Sequence, residues 1–220
     1  MQELFNKLNI NPKDLTLYER AFSHSSYVNE HHLKADYERL EFLGDAIVDL
    51  VVADYLYNNY KENEGEMTKV RASYVCENAL YEYAKDLHLS NYIKVGHGEQ
   101  NSGGQYKKAI VADIFEALTA AIYLDLGYAT ARRVLLDIIP PYIEKNITFF
   151  SDYKSALQEC VQTKQKSLTY EVIDESGPAH SKNFTVRVLV DDLIYGEGSA
   201  SSKKEAEQEA AKSALSKLAK

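Results

Sequence analysis

The chain reads as an all-α domain followed by a small α+β domain of order α-β-β-β-α, its three strands antiparallel. Three observations predict this. Apolar residues recur at steps of three and four as far as about residue 145. The period then falls to two: Leu168, Tyr170 and Val172 alternate, as do Phe184, Val186, Val188 and Val190. A final segment returns to helical spacing, with Ala206, Ala210, Ala214 and Leu218 on one face. At 220 residues the chain can build two modest cores. The expected division is 1–147, a linker at 148–152 and 153–220.

In order, Leu4, Phe5 and Leu8 mark a short amphipathic helix, which Asn11-Pro12 breaks. Asn11 is suited to cap the next helix with Pro12 at its first position. The segment from Asp14 to Glu30 is mostly helical and includes the polar His24-Ser25-Ser26. From Tyr37 to Asp54 the chain is apolar almost all the way round a helix. Met67–Leu87 is helical again. Residues 94–105 hold Gly96, Gly98, Gly103 and Gly104 and match no phosphate-loop pattern, so they read as a flexible connection. A helix over 109–124 follows, then one over 129–145 that must bend or break at Pro140-Pro141. In the second domain Lys154–Thr163 is helical, Leu193–Glu197 supplies the third strand, and the last helix starts near Lys203. Short connections make the sheet antiparallel.

The long apolar helix carries carboxylates where a packed helix should not. Glu41, Asp45 and Asp49 recur at i, i+4, and no Lys or Arg lies between Leu40 and Tyr60. Glu41 and Asp45 project about 40° apart, on one face. The 109–124 helix repeats the anomaly with Asp113 and Glu116 as its only charges, about 60° apart. Unpaired buried carboxylates cost several kcal/mol or become protonated. If the two helices pack together, four such groups converge, and oxygen-only ligands suit Mg²⁺, or Mn²⁺ in its place. Alternatively each carboxylate pairs with a nearby base such as Arg39, Lys107 or Lys108.

HSSY (His24–Tyr27), ERLEFLGDA (Glu38–Ala46) and ADIFEA (Ala112–Ala117) resemble the signature of the ribonuclease III family, and the resemblance covers nearly the whole chain. It implies an endoribonuclease that cuts double-stranded RNA by metal-assisted hydrolysis. The products would have 5′-phosphate and 3′-hydroxyl ends with short 3′ overhangs. Asp45 and Glu116 are the expected catalytic residues, and Glu41, Asp45, Asp113 and Glu116 the metal ligands. Asp49 is a candidate supporting group, and Glu38 and Glu64 have no assigned role. HSSY has no primary catalytic role in the family. A homodimer is expected, with Phe42 at its interface, and processing of ribosomal and other structured RNA precursors is the implied task.

The second domain points the same way. Ser202 is placed as an N-cap with Glu205 three residues on. Lys203 and Lys204 then occupy the helix's first turn, where the dipole disfavours cations unless an anion docks. Solvated lysines are the plainer alternative. SALQE (Ser155–Glu159), GPAH (Gly177–His180) and SKKEAEQEAA (Ser202–Ala211) resemble a double-stranded-RNA-binding domain. The resemblance implies RNA contacts from Gln158, Glu159, His180, Lys182, Lys203 and Lys204. Ala200 stands where many members have glycine.

Bulk charge does not oppose this reading. Residues 1–152 carry 15 Lys/Arg against 23 Asp/Glu and residues 153–220 carry 10 of each, so the acidity belongs to the first domain. No secretory signal and no apolar run of about 18 residues is visible, which points to a cytoplasmic protein without membrane contact. Cys76 and Cys160 fall in different domains and read as unpaired thiols. Two other readings compete: a binding protein with a dormant nuclease domain, which would lack one of the four carboxylates, and a di-metal oxidoreductase. The latter needs Glu-x-x-His pairs, whereas Gly44 and Thr119 stand three residues after Glu41 and Glu116.

Overall fold

In the computed structural model, residues 1–147, 149, 153–162, 166–177 and 182–218 are described, apart from the side chains of 155, 156, 159, 160, 162 and 218. The chain forms two compact units, Met1–Phe150 and Ser151–Lys220.

The first unit is helical: α1 (Gln2–Lys7), α2 (Leu15–Ala21), α3 (Ser25–Glu30), α4 (Glu38–Asn59), α5 (Glu64–Tyr74), α6 (Glu77–Asp86), α7 (His97–Asn101), α8 (Lys108–Leu126), α9 (Tyr128–Ile138) and α10 (Pro140–Glu144). The core is built around α4 and α8. Leu40, Ile47, Val48, Val51, Val52 and Leu56 bury one side of α4. On α8, Ile110 to Ala112 and Ile114 to Ile122 are all buried, so this helix is enclosed by its neighbours. The two helices approach closely at Gly44. A Cβ there would lie 2.9 Å from Glu116 Cα and nearer still to the Glu116 carbonyl, so the crossing has no room for a side chain.

Several helix boundaries differ from those the sequence predicts, for local capping as well as tertiary reasons. The second helix starts at Leu15 with Asp14 as its cap, whose side chain accepts the Thr16 N–H at 3.0 Å, and not at Pro12 with Asn11 as cap. The Asp125 carboxylate, near the end of α8, takes the Lys13 and Asp14 N–H groups at 2.9 and 3.0 Å. The Asp14–Glu30 stretch is two helices, because His24 leaves the helix and caps α3 through Nδ1 and the Ser26 N–H, 3.2 Å apart. Met67–Leu87 is likewise divided at Val75-Cys76. There the Tyr83 hydroxyl donates to the Tyr74 carbonyl at 3.1 Å, satisfying a group that the end of α5 leaves free. Residues 94–105 contain α7 and lead into a 3₁₀ turn over Gly104–Tyr106. They are fastened by the His97 N–H to Glu30 at 2.8 Å and by Lys107 to Glu99 at 2.7 Å. The break at the paired prolines is where the sequence places it, with Pro140 opening α10.

The second unit contains α11 (Tyr153–Gln162), β1 (Leu168–Ser176), β2 (Asn183–Val190), β3 (Leu193–Ala200) and α12 (Lys203–Leu218). The sheet is antiparallel with order β1-β2-β3, pairing Tyr170 with Val188 and Val188 with Gly196. Val186, Val188 and Val190 face Ala206, Ala210 and Ala214 of α12, and Leu157 and Val161 of α11 complete this core. Alanines permit close helix–sheet packing, and Gly196 and Gly198 bring it to backbone contact. A Cβ on Gly196 would lie 2.7 Å from Ala214 N, and one on Gly198 would lie 2.6 Å from Glu209 Cβ. Asp191 and Asp192 turn the β2–β3 hairpin with φ of 49° and 64°, in the left-handed region such turns require.

Candidate metal centre and nucleic-acid interface

Glu41, on the first turn of α4, and Asp113 and Glu116, on α8, each offer a carboxylate oxygen within 4.8 Å of the others'. The Gly44 contact explains the convergence, since it draws α4 onto α8 at the level of Glu116. Asp45 lies outside that radius and is exposed. Its charge nevertheless ranks next after burial in raising the Glu116 carboxyl.

The electrostatics are those of a site that wants a cation. Burial, then the charges of Asp45, Glu41 and Asp113, push the Glu116 carboxyl up to about 8. Burial, then Asp113, Glu38 and Asp45, push Glu41 up to about 7. Burial also raises Asp113, and a hydrogen bond from Tyr37 opposes it. The basic residues named as alternative partners are engaged elsewhere or unpaired. Lys107 pairs with Glu99 at 2.7 Å, Lys108 bonds Asn78, and Arg39 makes no ion pair among the described residues. Asp49 faces Arg71, with 3.9 Å between Oδ1 and Nε. An all-oxygen donor set, mutually repelling and with no Lys or Arg ion-paired to it among the described residues, fits a hard divalent ion. The group includes no histidine, contrary to what the oxidoreductase reading needs.

Sequence reasoning missed Tyr37. Its hydroxyl donates to Asp113 Oδ2 at 3.0 Å, joining positions 76 residues apart. The residue directly precedes ERLEFLGDA, but no spacing rule links it to α8.

On the second unit, Gln158, Lys182, Lys203 and Lys204 are exposed, whereas His180 and the side chain of Glu159 lie outside the described residues. The Ser202 hydroxyl caps α12, accepting the Glu205 N–H at 3.2 Å, and Glu205 accepts from the Ser201 hydroxyl at 3.0 Å. Lys182 pairs with Glu175, and Lys203 lies 3.8 Å from the same carboxylate. Both ammoniums also sit over the Phe184 ring, at 6.0 and 5.4 Å from its centroid. Neither Glu175 nor Phe184 was legible as a neighbour of these lysines. Lys204 makes no ion pair among the described residues.

Phe42 is 82% exposed on α4. Ala46 and Leu50 continue its stripe at steps of four and are exposed too, as is Tyr57 further along.

Residues 14–142 match the family described as Ribonuclease-III-like, and residues 153–218 match the double-stranded RNA binding motif. A protein named Ribonuclease 3 from Onion yellows phytoplasma (strain OY-M) is 52% identical over 221 residues, spanning 100% of this chain and 92% of that protein. Ribonuclease 3 of Listeria monocytogenes serotype 4a (strain HCC23) is 44% identical over 222 residues, spanning 99% and 97%. The solved nuclease domain of ribonuclease III from Campylobacter jejuni superposes with a TM-score of 0.60 at 37% identity, covering 66% of this chain and 97% of that one. That structure is described as flexible in a region involved in dimer formation. Fold and site thus define a ribonuclease, a hydrolase joined to a double-stranded-RNA-binding domain. The chain belongs to the ribonuclease III family.

Proposed function

We propose that the chain cleaves double-stranded RNA in a divalent-metal-assisted hydrolysis, with Mg²⁺ as the working ion and Mn²⁺ able to replace it. The products carry 5′-phosphate and 3′-hydroxyl ends with short 3′ overhangs. The observation that carries the reading is the set of three carboxylate oxygens within 4.8 Å, from Glu41, Asp113 and Glu116, none of them in an ion pair with a Lys or Arg among the described residues. Glu41, Asp45, Asp113 and Glu116 hold the metal, and Asp45 and Glu116 are the most critical for catalysis. A bound divalent ion polarises the scissile phosphate and makes water a competent nucleophile near neutral pH. The chain's own contribution is to hold the carboxylates ready. The Gly44 crossing sets the distance between the helices, and Glu116 itself is buried. Fixed groups need no rearrangement as charge develops.

The nuclease domain spans 1–147 and the RNA-binding domain 153–220, joined by 148–152. Gln158, Glu159, His180, Lys182, Lys203 and Lys204 hold the duplex through its minor grooves and intervening phosphates, reading A-form shape more than sequence. Two chains pair through the exposed stripe of Phe42, Ala46 and Leu50, which removes this apolar surface from water. Ribosomal and other structured RNA precursors are the substrates. The test is to incubate end-labelled duplex RNA with the protein in Mg²⁺, Ca²⁺ or chelator and to map the ends. Cleavage in Mg²⁺ alone, leaving 5′-phosphates, is expected. Equal cleavage in chelator would refute the reading.

A further inference from the structure

The motif HSSY does no chemistry in the proposed reaction, yet the fold sets it against the metal centre through Tyr37. Tyr37 is 5% exposed and stands at the entrance to α4. Its backbone N–H donates to the Ser23 carbonyl at 3.2 Å. Its ring lies beside the His24 imidazole, with centroids 5.9 Å apart. His24 is in turn held by Ser26, whose hydroxyl is 2.8 Å from His24 Nδ1 and accepts the Gly96 N–H at 2.9 Å. The segment Ser23–Ser26 therefore fixes both the backbone and the ring of Tyr37. The far end of that ring donates to Asp113 Oδ2, the one side-chain hydrogen bond Asp113 makes among the described residues.

We infer that Tyr37, braced by the Ser23–Ser26 turn, is a positioning residue that fixes the rotamer of Asp113 so that its other oxygen faces the metal. The inference rests on the proposed metal-dependent reading of the site. A ligand carboxylate free to rotate must be ordered each time an ion binds. One tethered through Oδ2 has that entropy removed in advance. Tyr37 is the N-cap of α4 and Asp113 lies on α8, so the same bond keeps the two ligand-bearing helices in register.

The test compares the full-length chain with Tyr37→Phe, which deletes one hydroxyl and keeps the packing. Mn²⁺ binding to chelator-stripped protein is followed by electron paramagnetic resonance, and cleavage of duplex RNA by Mg²⁺ titration. Losing a hydrogen bond to a metal ligand typically weakens metal binding by about 10- to 100-fold, so Mn²⁺ affinity should fall and the half-saturating Mg²⁺ concentration rise by about tenfold. Turnover at saturating Mg²⁺ should recover to near the parent value, and duplex RNA binding in Ca²⁺ should not change. Unchanged Mn²⁺ and Mg²⁺ dependence, or a loss of turnover that no Mg²⁺ concentration restores, would overturn the inference and leave the nuclease reading standing. A parent chain that neither binds Mn²⁺ nor needs Mg²⁺ would overturn both.

Discussion

Replacing Glu116 with glutamine should inactivate the enzyme and, in the absence of metal, stabilise it. Glu116 is 9% exposed, and burial with the charges of Asp45, Glu41 and Asp113 holds its carboxyl up to about 8 against an ordinary 4.5. The folded chain therefore keeps a proton that the unfolded chain releases near pH 4.5. Stability is whole below that pH and is lost as pH rises through about 8, because ionisation then occurs inside the fold. A tenfold change in an acid constant is worth about 1.4 kcal/mol, which puts a ceiling of about 5 kcal/mol on the cost at alkaline pH. Water entering past the exposed Asp45 and small helix movements reduce this to roughly 2–3 kcal/mol. Glutamine has nearly the same shape and carries no charge. In chelator at about pH 9, where 1 kcal/mol shifts melting by roughly 2–4 °C in a chain of this size, the variant's helical unit should melt about 4–12 °C above the parent. Near pH 4.5 the two should melt alike. Mg²⁺ should raise the parent's transition far more than the variant's. Calorimetric melts across pH, with and without Mg²⁺, test all of this. Equal melting at alkaline pH, or a glutamine variant that still cleaves RNA, would refute the account of a mutually repelling carboxylate group that an ion relieves.

Gly44→Ala should cost about 1–3 kcal/mol or more by forcing α4 off α8, and cleavage should fall further than a chemical melt alone would suggest, since the ligands separate with the helices. Phe42→Asp should leave the melt almost unchanged and shift sedimentation from dimer to monomer; a dimer of unchanged affinity would place the interface elsewhere. Lys204→Ala should weaken duplex RNA binding and reduce the slope of log affinity against log salt by about one, without altering the helical unit's melt. A slope that does not move would mean that this lysine meets no phosphate.

How much was legible in the residues differs between elements. The α-β-β-β-α order could be read because period two and period four leave different marks on a sequence, and β2 buries Val186, Val188 and Val190 at alternate positions, whereas Val172, expected on the buried face of β1, is exposed. The two long helices were equally plain, being apolar over many turns. Their carboxylates stood out because nothing local could neutralise them. Helix ends were read less well. Asp125 holds the start of α2 from far along the chain, and the Tyr83 hydroxyl supports the break after α5 from the helix that follows it.

The sequence by itself therefore determined that acids interrupt two apolar helical segments, that a half-buried sheet follows, and that two lysines open the last helix. Only the tertiary structure decided that Glu41, Asp113 and Glu116 bring their carboxylates within 4.8 Å of one another while Asp45, exposed, stays outside that group. It also decided that Tyr37 secures Asp113 and that Glu175 lies between two of the lysines. The reason is the range of the forces. Periodicity and capping act over a few residues and leave a local trace, whereas the closeness of two carboxylates depends on a helix crossing that a single missing Cβ, at Gly44, makes possible.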